Sequence, residues 1–267
     1  MLKLVLTRAA LSASLAAGVS TFAVAGGMDV TVVPAAPTAP VALIAPSRTF
    51  PGIFGIASAI AAPSGSGSVS LNYSTPRGGV AGADGDGDMS ANYTLGNPVS
   101  GLSVTGGVNL NSLTKSFGDS GNINLSAARL VTIGQVSVTF IGASAGKLAG
   151  WGDAANDAET YAGYASYLTA FNTARGEFPV QVTAGYGTDN TLSKDGLGVL
   201  RDGIFVGAGI GVSEALSLSV SGTQTQVNLG ATLIAPGING VSITAGVYDA
   251  ADSVSRQQTS VTVGYSF

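Results

Sequence analysis

The chain has 267 residues, room for one barrel or two modest soluble domains. It contains 39 glycines, only 10% charged residues and a mean hydropathy of +0.40, which is apolar for a protein that must cover its surface with charge. With neither cysteine nor histidine, it has no disulfide framework, no thiolate metal site and no Ser-His or Cys-His nucleophile pair, so an enzyme is not expected.

Residues 1–25 read as a secretory signal peptide. Lys3 and Arg8 give a positive start, an apolar stretch runs from Leu11 to Val24, and Ala23-Val24-Ala25 supplies an A-x-A cleavage site. The apolar part is shorter than the ~20 residues a bilayer-spanning helix needs, which counts against a permanent anchor. Once Lys3 and Arg8 are removed, nine basic residues face 15 acidic ones, a net charge of −6, and nucleic acid finds no electrostatic footprint.

Residues 26–65 follow as a linker. The run Pro34-Ala35-Ala36-Pro37-Thr38-Ala39-Pro40 favours an extended chain. The apolar piece Phe50-Pro51-Gly52-Ile53-Phe54-Gly55-Ile56 has several uses open to it: lying along a membrane edge, plugging a lumen, adding a strand or, most simply, packing against the body that follows.

Residues 66–267 repeat one idea, about ten residues alternating apolar with small or polar and then a turn, which places one set of side chains on each face of a strand. Val69, Leu71 and Tyr73 oppose Ser68, Ser70, Asn72 and Ser74; Met89, Ala91, Tyr93 and Leu95 oppose Ser90, Asn92 and Thr94; Leu102, Val104, Val108 and Leu110 oppose Ser103, Thr105, Asn109 and Asn111. The pattern continues in Ile123 and Leu125, in Val136, Val138 and Phe140, and in Val180, Val182, Ala184 and Tyr186. It returns in Ile204, Val206, Ala208 and Ile210, in Leu216, Leu218 and Val220, and in Val227, Leu229 and Leu233. The final segments are Val241, Ile243, Ala245 and Val247, then Val261, Val263, Tyr265 and Phe267; residues 161–171 are strand-like with aromatics on both faces.

The polar set is Ser, Thr, Asn, Gln and Gly instead of the Lys and Glu of a water-facing sandwich, and so suits a confined lumen. Connections alternate between short turns and long loops, as in outer-membrane barrels with short periplasmic turns. The expected fold is all-β, a transmembrane antiparallel up-and-down β-barrel of about twelve strands. Tyr73, Tyr93, Phe140, Tyr186, Tyr248 and Tyr265 are candidates for aromatic girdles. Arg129 falls inside a strand segment and is expected near the periplasmic interface or turned inward, since a cation facing lipid at mid-depth costs ~2–4 kcal/mol.

One cluster suggests ion chemistry. Asp84, Asp86 and Asp88 alternate with glycines and can wrap oxygens around Ca2+; no downstream bidentate Glu follows, and a solvated turn-rich loop is the simpler reading. Gly207, Gly209 and Gly211 resemble a phosphate loop only in isolation; within a strand such spacing leaves room in the lumen or permits close packing.

Val261, Val263, Tyr265 and Phe267 close the chain with apolar or aromatic residues at every second position and a terminal Phe. This resembles the C-terminal segment of bacterial outer-membrane β-barrel proteins, although Gly264 does not occupy the usual glycine place of that signal. The resemblance implies a bacterial outer-membrane location with outer-membrane lipid as surroundings, both termini in the periplasm, and recognition of the last strand by the barrel-assembly machinery. About twelve strands enclose a lumen between the filled barrels of about eight strands and the open channels of about 16 to 18. A porin-like passive channel for small solutes, its lumen weakly charged and weakly ion-selective, is the leading expectation. The alternatives are a structural or surface-display barrel with a plugged lumen and a secreted soluble β-solenoid.

Overall fold

The computed structural model describes residues 51–60, 62–78, 84–111, 113, 117–134, 136–173, 176–192 and 200–267; the signal-peptide and Pro-rich segments lie outside them. Twelve strands form one closed antiparallel barrel: β1 (Gly67–Ser74), β2 (Asp86–Gly96), β3 (Ser103–Leu110), β4 (Gly121–Ile133), β5 (Ser137–Trp151), β6 (Thr160–Thr173), β7 (Gly176–Leu192), β8 (Leu200–Gly211), β9 (Leu216–Thr223), β10 (Val227–Ile234), β11 (Val241–Tyr248) and β12 (Gln258–Ser266). Each strand pairs with its sequence neighbours, and β1 closes on β12 through a register running from Ser68↔Ser266 to Ser74↔Ser260. At the seam, Phe267 N–H donates to Gly67 O (2.9 Å) and Gly67 N–H to Phe267 O (2.8 Å), so pairing extends to the chain end.

Closure turns the alternation of the sequence into an outside and an inside. Leu71, Tyr93, Val108, Leu125, Val182, Val206, Leu218, Leu229, Ile243 and Val263 stand exposed on the outer wall, while Asn72, Ser90, Asn109, Asn122, Thr183, Ser221, Asn228, Thr244 and Ser260 are buried within. A closed sheet leaves no strand edge unpaired, which hydrocarbon requires of any strand-based span. The outer wall is therefore a lipid-facing belt, and the architecture is that of an outer-membrane β-barrel.

The connections sort by end. Those at 97–102, 134–136, 174–175, 212–215 and 235–240 share an end with Gly67 and Phe267. Those at 75–85, 111–120, 152–159, 193–199, 224–226 and 249–257 sit at the other, and apart from 224–226 they are the longer set. Several strands outrun their sequence patterns, because β5, β7 and β8 extend beyond the barrel proper into stretches that read as loop. Irregular register marks the extension: β4–β5 shifts between Ile123 and Leu125 and again between Gly121 and Ile123, with Lys147 (φ 57°) and Ala149 (φ 45°) left-handed at the bulges.

One strand departs from the expected facing, and one whose facing the sequence left open is placed. In β5, Val138 and Phe140 point inward and are buried, leaving Ile141 outside. In β6, Tyr161, Tyr167 and Phe171 face out whereas Tyr164 and Leu168 face in, which resolves the aromatics on both faces of that segment. Phe140 is accordingly no girdle residue, and Tyr248 meets a lumenal ring. Arg129 points outward, paired with Ile141 and one residue beyond the Ser103↔Ala128 pair that begins β3, toward the short-turn end, while its β4–β5 pairing runs on to Ile133↔Val138.

The lipid-facing belt makes a measurable prediction. Val220→Arg, on the outer wall at the middle of β9 between Ala208 and Leu229, is expected to destabilise the barrel by about 2–4 kcal/mol in urea unfolding from phospholipid vesicles.

Candidate functional site

Inside the barrel lies a segment of its own chain, residues 51–60. From Gly67 it runs backwards along the short-turn rim, where Gly65 N–H donates to Thr94 O (2.8 Å) and Ser103 Oγ reaches Ala62 O (3.5 Å). It then rises into the lumen past Ala59 and Ser58, turns at Phe54 and Gly55, and descends to Pro51 beside Gly209, two residues from the end of β8. Gly55 supplies the turn at φ +84°, and a Cβ there would stand 2.6 Å from Asn228 Nδ2. The segment is a re-entrant hairpin whose two described limbs both run toward the short-turn end.

Serines of the wall hold its main chain. Ser219 Oγ accepts Phe54 N–H (3.1 Å), Ser221 Oγ donates to Phe54 O (2.6 Å), and Ser166 Oγ accepts Ala59 N–H (2.9 Å). The Gln181 amide, fully buried, donates to the Ser58 hydroxyl and to Thr183 Oγ1. Every such bond replaces water that the segment's peptide groups lose on entering the lumen.

Its side chains fill sockets cut by missing side chains in the wall. Phe54 lies over Gly230 and Gly246, where a Cβ would come within 2.3 Å and 2.5 Å of it, and its ring is tilted at 38° against Tyr248 with centroids 4.5 Å apart. Ile53 and Ile56 press on Gly207, each with an atom 2.7 Å from where a Cβ would sit. Around them six apolar side chains turn inward, Leu130 from β4, Val138 and Phe140 from β5, Tyr164 and Leu168 from β6 and Phe205 from β8, and form one core with Ile53, Ile56, Ala57 and Ala59.

The remainder of the inner wall satisfies itself across paired strands. Ser70 meets Ser90 (2.7 Å), Thr94 meets Thr105 (2.8 Å) and Thr232 meets Thr244 (2.9 Å), while Asn109 Nδ2 donates to Asn122 Oδ1 (3.3 Å). Asn72 Oδ1 accepts from Ser260 (2.6 Å) and Thr262 (2.8 Å), tying the seam from within.

The three aspartates are spread along one line. Asp84 is exposed ahead of β2, Asp86 Oδ1 accepts the Gly87 N–H (2.8 Å), and Asp88 is buried inside the barrel with Asn72 Nδ2 at 3.5 Å. Among the described residues no three His, Cys, Asp or Glu side chains converge as a metal-holding group.

The wall's charge gathers at the long-loop end. Lys147 Nζ lies 3.9 Å from Asp157 with both side chains buried, and burial pushes the Asp157 carboxyl up from its ordinary range against the pull of Lys147. Arg77 is pushed down to about 10, chiefly by burial and secondarily by the nearby Arg256. Gly207 and Gly209 serve as space-makers, as their spacing suggested. The inward apolar cluster of β4, β5, β6 and β8 is the feature the alternation missed; the signal for it was that same glycine spacing, which marks a wall something must approach.

Closed sheet, apolar belt and hydroxyl-rich interior define a transmembrane β-barrel of porin-like build. No family model and no curated protein matches the chain. Among solved structures it is similar to the KdgM porin in complex with disordered oligogalacturonate, at 12% identity and a TM-score of 0.49 over 75% of this chain and 99% of that one. It is also similar to the COG4313 outer membrane channel from Pseudomonas putida F1, at 10% identity and TM-score 0.49 over 78% and 98%, and to the NanC porin, at 8% and 0.45 over 74% and 98%.

Two outcomes follow from this geometry. Because the chain has no cysteine, Ala57→Cys is a unique probe of the hairpin, expected to be inert to a water-soluble maleimide; adding Gly246→Leu, which invades the Phe54 socket, is expected to make it react within minutes while the barrel stays folded. Asp157→Asn, which leaves the buried Lys147 ammonium without its counter-charge, is expected to cost about 3–5 kcal/mol in unfolding measurements, and the double change Lys147→Met with Asp157→Leu to recover most of it.

Proposed function

We propose that this chain is a bacterial outer-membrane channel for small uncharged solutes whose lumen is held shut by its own residues 51–60. The hairpin carries the reading: a segment docked by serines of β6 and β9 and seated in glycine sockets of β8, β10 and β11 stands across the path a solute would take. Hydroxyls and amides dominate the polar wall, and a wall without rings of charge supports weak ion selectivity. In this reading the long loops face outward, both termini lie in the periplasm, and the barrel-assembly machinery takes hold of Val261, Val263, Tyr265 and Phe267. It has no catalytic role.

The depth at which the hairpin is buried favours a second reading, a permanently plugged structural barrel. Planar-bilayer recording separates the two. The full-length barrel is expected to give brief, infrequent openings, and deletion of residues 51–60 to raise the open fraction at least about tenfold. Silence from the full-length protein with sustained openings from the deletion supports the permanent plug. Silence from both overturns the channel.

A further inference from the structure

Above the turn of the hairpin, toward the long-loop end, is a cavity of about 60 Å3, several times the space one ordered water needs. Its floor is the hairpin itself, Gly55, Ile56 and Ala57, with Phe205 beside them. Its walls present the side chains of Asn124, Ser144, Thr160, Thr188, Asn190 and Thr223, and no Asp, Glu, Lys or Arg lines it. Lys147 gives Asn124 Oδ1 its backbone N–H (3.2 Å) and turns its ammonium to Asp157. Asn190, also in the lining, donates Nδ2 to Gly203 O (2.7 Å) and so ties β7 to β8 at the cavity's edge.

We propose that this cavity binds a small uncharged polyol, docked by its hydroxyls on the threonine, serine and asparagine walls and by its carbon face on Ile56 and Phe205. Three observations select that class. The neutral lining offers no counter-charge to repay the desolvation of an ion. The alternation of hydroxyls and amides supplies donors and acceptors together, as vicinal hydroxyls require. The apolar floor accommodates the C–H face of the same molecule. Since the floor is the hairpin, an occupant touches the closing element directly, and binding differs between the seated and withdrawn forms of the segment. The inference rests on the channel reading, naming the solute its outer mouth would receive.

Saturation-transfer NMR on the full-length barrel in micelles, with glycerol as the probe and propionate and propylammonium as charged three-carbon controls, tests it without any conductance measurement. Glycerol is expected to show transfer that the two ions lack. Thr160→Val, which removes one lining hydroxyl, and, separately, Ala57→Leu, which fills the cavity from the hairpin, are each expected to weaken it by about fivefold or more, for the first the effect of one neutral hydrogen bond lost. A heat-modifiable gel shift identifies folded variants, and Ala57→Leu leaves every barrel residue in place. No glycerol transfer, equal transfer from the ions, or transfer unchanged by both substitutions overturns the site. The bilayer recordings of the hairpin deletion judge the channel separately.

Discussion

Hydrogen bonding of the backbone in a solvent that offers none is the constraint from which the rest follows. Each peptide group that a strand carries through hydrocarbon has to find its partner in the sheet, and a sheet does this without remainder only by closing on itself. Here the closing pair is β1 with β12, carried to the last residue by the reciprocal bonds of Gly67 and Phe267. Once the ring is closed, the pleat decides everything else about position: each odd or even set along a strand belongs to lipid or to lumen, with no third environment available.

The lumen then faces a satisfaction problem of its own. Hydroxyls and amides enclosed in a narrow barrel cannot rely on bulk water, and they are met in two ways. Across β1–β3 and β10–β12, directly paired residues bond each other, as Ser70 does with Ser90 and Thr232 with Thr244. On β6, β7 and β9 the polar groups of Ser166, Gln181, Ser219 and Ser221 turn to the hairpin instead. The apolar side chains gathered on the inner faces of β4, β5, β6 and β8 have the same explanation. They are core residues whose partner is the segment, and without it they would line a wet channel with greasy wall.

Much of the fold was readable because the barrel obeys one period. Twelve alternating stretches separated by turns of unequal length give strand number, facing and end for nearly every segment, and Ile204, Val206 and Ile210 on β8 stand outside as their alternation demands. Where reading fails, a second apolar environment competes with lipid. Val138 and Phe140 alternate as lipid-facing residues do, and nothing in their own strand tells that the grease awaiting them is Ile56, Ala59 and Leu168 within. The hairpin was legible only as an apolar piece with several uses, since its placement depends on sockets at Gly207, Gly230 and Gly246, far away in sequence. The cavity at its tip draws on six strands and the segment together, which no local pattern records. The strand extensions escaped for a local reason: Asp, Asn and Gly in 188–202 carry turn chemistry, yet β7 and β8 pair through Thr191↔Arg201 beyond a register shift.

The path of residues 51–60 also bears on how the molecule is put together. Its two described limbs both run toward the short-turn mouth, so these residues can be seated or withdrawn there without parting a strand. The sheet can zip shut first and admit the bight of the hairpin afterwards, or the segment can retreat the way it came, with neither the seam nor any strand parting. A single-pass thread occupying the same sockets would be trapped by the ring around it; a doubled-back one is free to be exchanged.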